Sequence, residues 1–179
     1  MYGWRARIGV IVPSTNTVVE SEYWKMAPEG VSIHASRIKL TETTPESLKQ
    51  MIEHVERAAN ELATAQVDII VFACTSGSFV GGIEWETKLT KIIMGLTNIK
   101  AITTSGAVVE ALREMNCKKI VMATPYISKL NELEKSFLEL KGFKILNSKG
   151  LGLSENIKIG SLNPRIAYKL AKEVHSPEA

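Results

Sequence analysis

The chain has 179 residues, of which 45% are hydrophobic and 23% charged, and its formal net charge is +3. This composition is typical of a globular protein, and a small net charge without a basic run argues against a nucleic-acid partner. No apolar stretch approaches the length of a membrane span, and the N-terminal segment lacks the apolar region of a signal peptide. The two cysteines, Cys74 and Cys117, lie far apart without metal-ligand spacing, which predicts free thiols, no metal site and a cytoplasmic location.

Short apolar segments alternate with helical patterns along the first half of the chain. Thr44 and Pro45 fit a helix cap followed by a first-turn proline, and Thr43 with Glu46 fits a capping box. Apolar residues at three- and four-residue steps then predict a long amphipathic helix. The predicted elements of this half are strands over 6–12, 31–38 and 67–73 and helices over 18–26 and 48–62.

The third of these strands ends at a thiol. A short, apolar, β-branched run is typical of a strand that is buried on both faces of a parallel sheet. Ligands bind at the carboxyl ends of such strands, so Cys74 could meet a substrate, and Thr75 and Ser76 could hold an anion. We expect nearby amides at a helix start to lower the pKa of the thiol. The alternative is that Cys74 is a small core residue.

The second half of the chain repeats the alternation of strands and helices. Its predicted elements are helices over 85–96, 105–115, 129–140 and 164–174 and strands over 101–104, 118–123 and 143–147, with a loop opening at Gly150. About six strand–helix repeats predict an α/β fold with parallel strands. Either two lobes or one continuous sheet fits this order. Tyr126 lies at a strand tip, where it covers the core edge or donates to an oxyanion, whereas Cys117 opens a strand at the opposite end.

Three strand tips together carry a family resemblance. They are Val12-Pro13-Ser14-Thr15-Asn16-Thr17-Val18-Val19-Glu20, Cys74-Thr75-Ser76-Gly77-Ser78-Phe79 and Thr124-Pro125-Tyr126. In this order they resemble the maleate cis–trans isomerase and arylmalonate decarboxylase branch of the aspartate/glutamate racemase superfamily. The resemblance implies two similar Rossmann-like (flavodoxin-like) lobes with parallel sheets and the active site between them. We place the lobes at residues 1–105 and 106–179.

The resemblance also implies roles for individual residues. Cys74 matches the first catalytic cysteine, where the decarboxylases carry glycine, and a second catalytic cysteine is due beyond the last helix, so we expect the second lobe to be incomplete. The catalytic residues that it implies are Cys74, Asn16 and Tyr126. The substrate-binding residues that it implies are Ser14, Leu40, Thr75, Ser76 and Asn156, with Tyr126 sharing in carboxylate binding.

The function implied is a cofactor-independent cis–trans isomerase of a small dicarboxylate, of the maleate-to-fumarate type, with the Cys74 thiolate as nucleophile. We further expect a homo-oligomer that binds a small carboxylate and no nucleic acid or membrane. The alternatives are an amino-acid or hydantoin racemase, an arylmalonate decarboxylase-like enzyme and, outside enzymes, a flavodoxin-like binding domain.

Overall fold

The computed structural model describes residues 2–179 and has an α/β architecture with parallel strands, as predicted. The strands are β1 Ala6–Pro13, β2 Val31–Ile38, β3 Ile69–Phe72, β4 Lys100–Thr103, β5 Lys119–Tyr126 and β6 Lys144–Leu153. The helices are α1 Val19–Met26, α2 Pro45–Met51, α3 Val55–Thr64, α4 Thr75–Phe79, α5 Trp85–Thr97, α6 Thr104–Glu114, α7 Ser128–Leu140, α8 Asn156–Gly160 and α9 Pro164–Val174.

Four strands form the first sheet, in the order β2-β1-β3-β4 with every pair parallel. The two central strands, β1 and β3, are covered by helices on both faces, which explains their uninterrupted apolar sequences. Val10, Ile11 and Val12 are fully buried in β1, and so are Ile70 and Phe72 in β3. This burial fixes the positions of the segments that follow Pro13 and Phe72.

Strands β5 and β6 form a second, two-stranded parallel sheet. The predicted end of β6 at residue 147 was wrong, because the strand continues to Leu153 and pairs with the end of β5. Gly150, which the sequence suggested as a loop residue, lies opposite Thr124 beside a register shift. A Cβ atom at this glycine would lie 2.5 Å from the backbone oxygen of Tyr126, so close approach of the two strands requires glycine here.

The amphipathic helix predicted over 48–62 is divided in two. Helix α2 ends at Met51, a single 3-10 turn covers Ile52–His54, and α3 then begins at Val55. The apolar stripe runs through the break, because Leu48, Met51 and Val55 are all buried. Thr44 caps α2 as predicted, with its hydroxyl accepting a hydrogen bond from the Ser47 amide. The predicted capping box was wrong, because Thr43 instead donates its backbone N–H to the Ser154 carbonyl, 2.6 Å away.

One continuous apolar core joins the two sheets. Phe79 of α4 packs against Phe137 of α7 with ring centroids 6.3 Å apart, and Val109 of α6 and Met122 of β5 are buried in the same cluster. A smaller cluster containing Val10 and other residues covers the opposite face of the first sheet. The lobe boundary that we predict after residue 105 falls in the first turn of α6 and stays a prediction. None of the helices within residues 2–179 is both long and apolar enough to cross a membrane.

Candidate active site

A cavity of about 290 Å³ lies where the carboxyl ends of the six strands meet. Each strand supplies part of its wall, since the chain reaches the cavity at the end of that strand or shortly after it. The lining residues are Pro13, Asn16, Val19, Glu22, Tyr23, Thr43, Ala73, Cys74, Thr75, Ser76, Thr104, Tyr126, Asn156 and Ile159. A cleft of about 770 Å³ elsewhere on the surface is larger, but its lining contains no cysteine or tyrosine. The smaller cavity therefore has the chemistry of an active site.

Cys74 lies between the end of β3 and the first residue of α4, and it is only 8% exposed. Its Sγ atom lies 3.8 Å from the Ser76 hydroxyl. Burial raises the pKa of the thiol, while hydrogen bonds with the Gly77 backbone and Ser76 act in the opposite direction. We expected a lowered pKa, and this was wrong because α4 has five residues and its few amides do not compensate for lost hydration.

Tyr126, the last residue of β5, brings a phenol from the second sheet to the thiol. Burial raises the pKa of this phenol, and the negative charges of Glu134 and Cys74 raise it further, whereas hydrogen bonds with Ser76 and Thr75 lower it. The phenol therefore stays protonated at neutral pH and can donate a hydrogen bond to an anion. Of the two interpretations of this strand-tip tyrosine, the environment favours the donor.

Asn16 reaches the same cavity from the tip of β1. Its Oδ1 atom accepts hydrogen bonds from the backbone amides of Val18 at 2.9 Å and Val19 at 3.0 Å. The side chain thus caps the start of α1, which fixes its position in the wall. Because Oδ1 already accepts hydrogen bonds from the helix backbone, the Nδ2 group is the part of Asn16 that can donate to a ligand.

Asn156, the first residue of α8, links the second sheet to the first. Its Nδ2 atom donates to the Thr15 hydroxyl at 2.6 Å, and its Oδ1 atom accepts from the Thr43 hydroxyl at 3.2 Å. Both threonines belong to segments that follow strands of the first sheet, so side-chain hydrogen bonds join the two sheets beside the cavity.

The structure does not bring Ser14 and Leu40 into the wall of this cavity. The Ser14 hydroxyl donates to the Leu40 carbonyl at 3.2 Å and accepts from the Leu40 amide at 3.0 Å. The Leu40 side chain is buried in the core. The remaining residues that the sequence indicated all line the cavity; they are Cys74, Asn16, Tyr126, Thr75, Ser76 and Asn156.

Sequence reasoning did not single out the other lining residues, and four residues in or beside the site bear on its chemistry. Thr104 follows β4 directly, so the strand-end rule that selected Cys74 selects it too. Thr15 and Thr43 carried no separate signal, because their partner Asn156 is more than 100 positions away in the chain. Glu134 lies within the apolar stripe of α7. An acidic side chain at a position where an apolar one is expected was the signal in the sequence. Within residues 2–179, no three His, Cys, Asp or Glu side chains are grouped to hold a metal ion.

Comparison with known proteins places this site in a family. The family model described as arylmalonate decarboxylase matches residues 8–179. The chain therefore belongs to the arylmalonate decarboxylase family. Within the family, the chain is 30% identical to the maleate isomerase of Alcaligenes faecalis, with 94% of this chain and 72% of that protein aligned. It is 31% identical to the maleate isomerase of Pseudomonas putida, with 88% of this chain and 68% of that protein aligned.

A solved structure has the same architecture. The Nocardia farcinica maleate cis–trans isomerase, in a cysteine-to-serine variant with a covalently bound succinylcysteine intermediate, superposes with a TM-score of 0.91. It is 28% identical in sequence, and the match covers 97% of this chain and 75% of that one. The covalent adduct in that enzyme is carried by a cysteine.

Proposed function

We propose that this chain is a cofactor-independent cis–trans isomerase of a small dicarboxylate, of the maleate-to-fumarate type, with Cys74 as its nucleophile. One observation carries the proposal: the Cys74 thiol and the Tyr126 phenol, from different sheets, line one small cavity with Thr75 and Ser76. The names of the maleate isomerases that this chain resembles support the reaction type.

The donors around the thiol suit a carboxylate. Thr75, Ser76 and Tyr126 supply three hydroxyl groups to the cavity that Cys74 lines, and the raised pKa of the phenol keeps its proton in place for donation. Asn16 and Asn156 supply carboxamide groups to the same cavity. A dicarboxylate with one carboxylate on the hydroxyls and the other toward the amides would hold its alkene carbons near sulfur. A cavity of about 290 Å³ suits a molecule of this size.

The chemistry that we assign to Cys74 is reversible addition to the double bond. Sulfur forms a bond to one alkene carbon while the thiol proton leaves, and the electron pair of the double bond moves to the other carbon, which takes up a proton. The adduct is a succinyl thioether, in which the former double bond is single and rotates. Loss of the added proton and departure of sulfur, which takes up a proton to become the thiol again, then restore the double bond in the trans geometry. The cycle consumes no oxidant or reductant, so it requires no electron carrier.

The sequence also bears on the decarboxylase alternative. In the resemblance described above, the decarboxylases carry glycine where this chain carries Cys74. A thiol at this position can add to an alkene, whereas glycine offers no side chain for that step. We therefore favour isomerisation over decarboxylation for this chain.

Replacement of the two cysteines tests the proposal. In a protein that carries both catalytic cysteines implied by the resemblance, Cys74→Ser should abolish conversion of maleate to fumarate, followed by proton NMR, because an alcohol is a far weaker nucleophile than a thiol. Cys117→Ser is the matched control and should leave the rate nearly unchanged. Cys117 precedes the eight-residue strand β5, whose opposite end carries Tyr126, so Cys117 lies at the end of the strand that is far from the site. A folded Cys74→Ser protein that still isomerises maleate would refute the proposal.

Two finer expectations belong to the same proposal. We propose that the protein acts in the cytoplasm and assembles as a homo-oligomer. The free thiols of Cys74 and Cys117 are consistent with a reducing compartment. Light scattering coupled to size-exclusion chromatography measures the assembly directly, and a mass near 19.7 kDa would show a monomer instead.

A further inference from the structure

A chain of hydrogen bonds runs from the cavity wall to the backbone of the first sheet. Asn156 Nδ2 donates to Thr15 Oγ1 at 2.6 Å, and Thr15 Oγ1 in turn donates to the Leu40 carbonyl at 2.8 Å. Asn156 lines the cavity, whereas Thr15 is not among its lining residues. The threonine therefore touches the site only through the asparagine.

The direction of these hydrogen bonds is fixed by the backbone carbonyl at one end. A carbonyl oxygen can only accept, so the single proton of the Thr15 hydroxyl must be donated to Leu40. The hydroxyl then has only lone pairs to offer Asn156, and the group that faces it must be the NH₂ of the carboxamide. If the carboxamide were rotated by half a turn, two oxygens would meet at 2.6 Å without a proton between them.

The other end of the carboxamide has a compatible partner. Asn156 Oδ1 accepts from the Thr43 hydroxyl at 3.2 Å, and Thr43 is held in place because its backbone N–H donates to the Ser154 carbonyl at 2.6 Å. With the oxygen occupied by Thr43 and one amide proton by Thr15, one N–H of Asn156 has no hydrogen-bond partner among residues 2–179. That N–H belongs to a side chain that lines the cavity.

We propose that Thr15 is a positioning residue that orients the Asn156 carboxamide and thereby presents its second N–H to a carboxylate in the cavity. The choice of a carboxylate rests on the proposed function, whereas the orientation of the amide does not. It follows that Asn156 is a donor and not an acceptor toward the ligand. The segments after β1, β2 and β6 then act together to hold one end of a dicarboxylate.

Three variants, each prepared as the full chain, test the inference. Thr15→Val removes both hydrogen bonds at nearly constant volume, and Thr15→Ser retains the hydroxyl. Thr90→Val is the control, because Thr90 also donates to a backbone carbonyl, that of Thr87, but lies in α5 away from the cavity.

The first measurement uses the unliganded protein, so that it does not depend on activity. The side-chain NH₂ signals of Asn156 in ¹⁵N-labelled protein should move in Thr15→Val and exchange with water at least about tenfold faster, since a hydrogen bond to the threonine is lost. Thr15→Ser should restore the wild-type signals, and Thr90→Val should not disturb them. Unchanged Asn156 signals in Thr15→Val would overturn the positioning role.

The second measurement uses succinate, a saturated dicarboxylate that cannot react. The succinate concentration that protects Cys74 from iodoacetamide gives the dissociation constant of succinate. This constant should rise about tenfold or more in Thr15→Val, as expected for loss of a donor to a charged group. The KM for maleate should rise more than kcat falls. If succinate does not protect Cys74 in the wild-type protein, the proposed function fails, and the amide signals still decide the role of Thr15. Wild-type succinate affinity in Thr15→Val would overturn the carboxylate part of the inference.

Discussion

At the scale of single residues, the buried Cys74 thiol is the feature with the largest chemical consequence. Burial raises its pKa, so the free protein holds the thiol and not the thiolate at neutral pH. A protonated thiol is protected from oxidation and from adventitious electrophiles. The nucleophile must therefore lose its proton during the reaction, when the substrate is already among the hydroxyl donors.

Alkylation measures this property directly. In a Cys117→Ser background, the rate of iodoacetamide labelling of Cys74, followed by mass spectrometry, should still be rising at about pH 9, because only the thiolate reacts. The same protein unfolded in urea is the control, and its thiol should titrate at a lower pH than in the folded protein. A labelling rate that is already constant by about pH 7 would contradict a raised pKa.

Glu134 gives the fold a dependence on pH. One of its carboxylate oxygens, Oε2, is buried without a hydrogen-bond partner in the part of the chain that the structure describes, and burial raises the pKa of the group from 4.5 to about 7. The folded chain thus keeps a proton that the unfolded chain loses. The contribution of Glu134 to stability is fully present below pH 4.5 and is lost as the pH rises to about 7, a loss of up to about 3 kcal/mol.

Glu134→Gln removes this titration and should make the protein more stable than wild type at pH 8, by up to about 3 kcal/mol, with a smaller difference at pH 5. Urea denaturation at both pH values measures the difference. Glu132→Gln, at an exposed position of the same helix, is the control and should have little effect at either pH. An equal effect of Glu134→Gln at both pH values would show that the carboxyl does not titrate as described.

The sequence predicted the site residues that follow strands and missed those that depend on distant partners. Cys74 and Tyr126 were found because each comes at the end of an apolar run, and such ends meet at one edge of a parallel sheet. Ser14 and Leu40, which the family resemblance implied, also lie close to strand ends, but they contact each other and do not line the cavity. A position near a strand end predicts the edge of the sheet at which a residue lies, but not the direction in which its side chain points.

At the scale of elements, the pairing of β5 with β6 positions Tyr126. Gly150→Ala should destabilise the protein by about 1–3 kcal/mol, because the new Cβ atom would lie 2.5 Å from the Tyr126 backbone oxygen, which cannot move without shifting β5. Chemical denaturation measures the loss, and the rate of maleate conversion should fall with it as the phenol is displaced.

Gly95→Ala is the matched control for this substitution. Gly95 lies inside α5, and a Cβ atom there would meet no other atom within 4 Å. Alanine favours a helix over glycine, so this variant should be more stable by up to about 1 kcal/mol. Equal effects of the two substitutions would contradict the role assigned to the close approach at Gly150.

Element type was easier to predict than element length. Each predicted strand exists because its apolar run has no helical period. Strand β6, however, extends beyond its apolar part, and pairing with β5 keeps it extended through two glycines that would otherwise favour a loop. The break at Ile52–His54 was also missed, since a 3-10 turn leaves the apolar period almost unchanged. Both differences arise from tertiary contacts that a local pattern does not contain.

At the scale of the whole molecule, the shared core predicts a single unfolding transition. Phe79 and Phe137, from the two parts of the chain, pack in one cluster, and Lys129 forms an ion pair with Glu46 across the same boundary. Because neither sheet can separate without exposing this cluster, both should unfold together.

The distribution of tryptophan makes this testable. Trp4, Trp24 and Trp85 all precede residue 105, so tryptophan fluorescence follows the first part of the chain, while far-UV circular dichroism follows both. Urea denaturation curves from the two signals should coincide with one midpoint. Hydrogen exchange of β1 and β5 amides should report the same opening free energy. Two separated transitions would show that the sheets fold independently, as separate lobes do.

The Leu40 carbonyl, at the end of the hydrogen-bond chain from Asn156, has a consequence for evolution. The polarity of that chain originates in a main-chain atom, and every amino acid has this atom whatever its side chain. Position 40 can therefore exchange one apolar side chain for another, as the core requires, without reversing the carboxamide. Packing of the core and orientation of the Asn156 carboxamide can therefore change independently at this position.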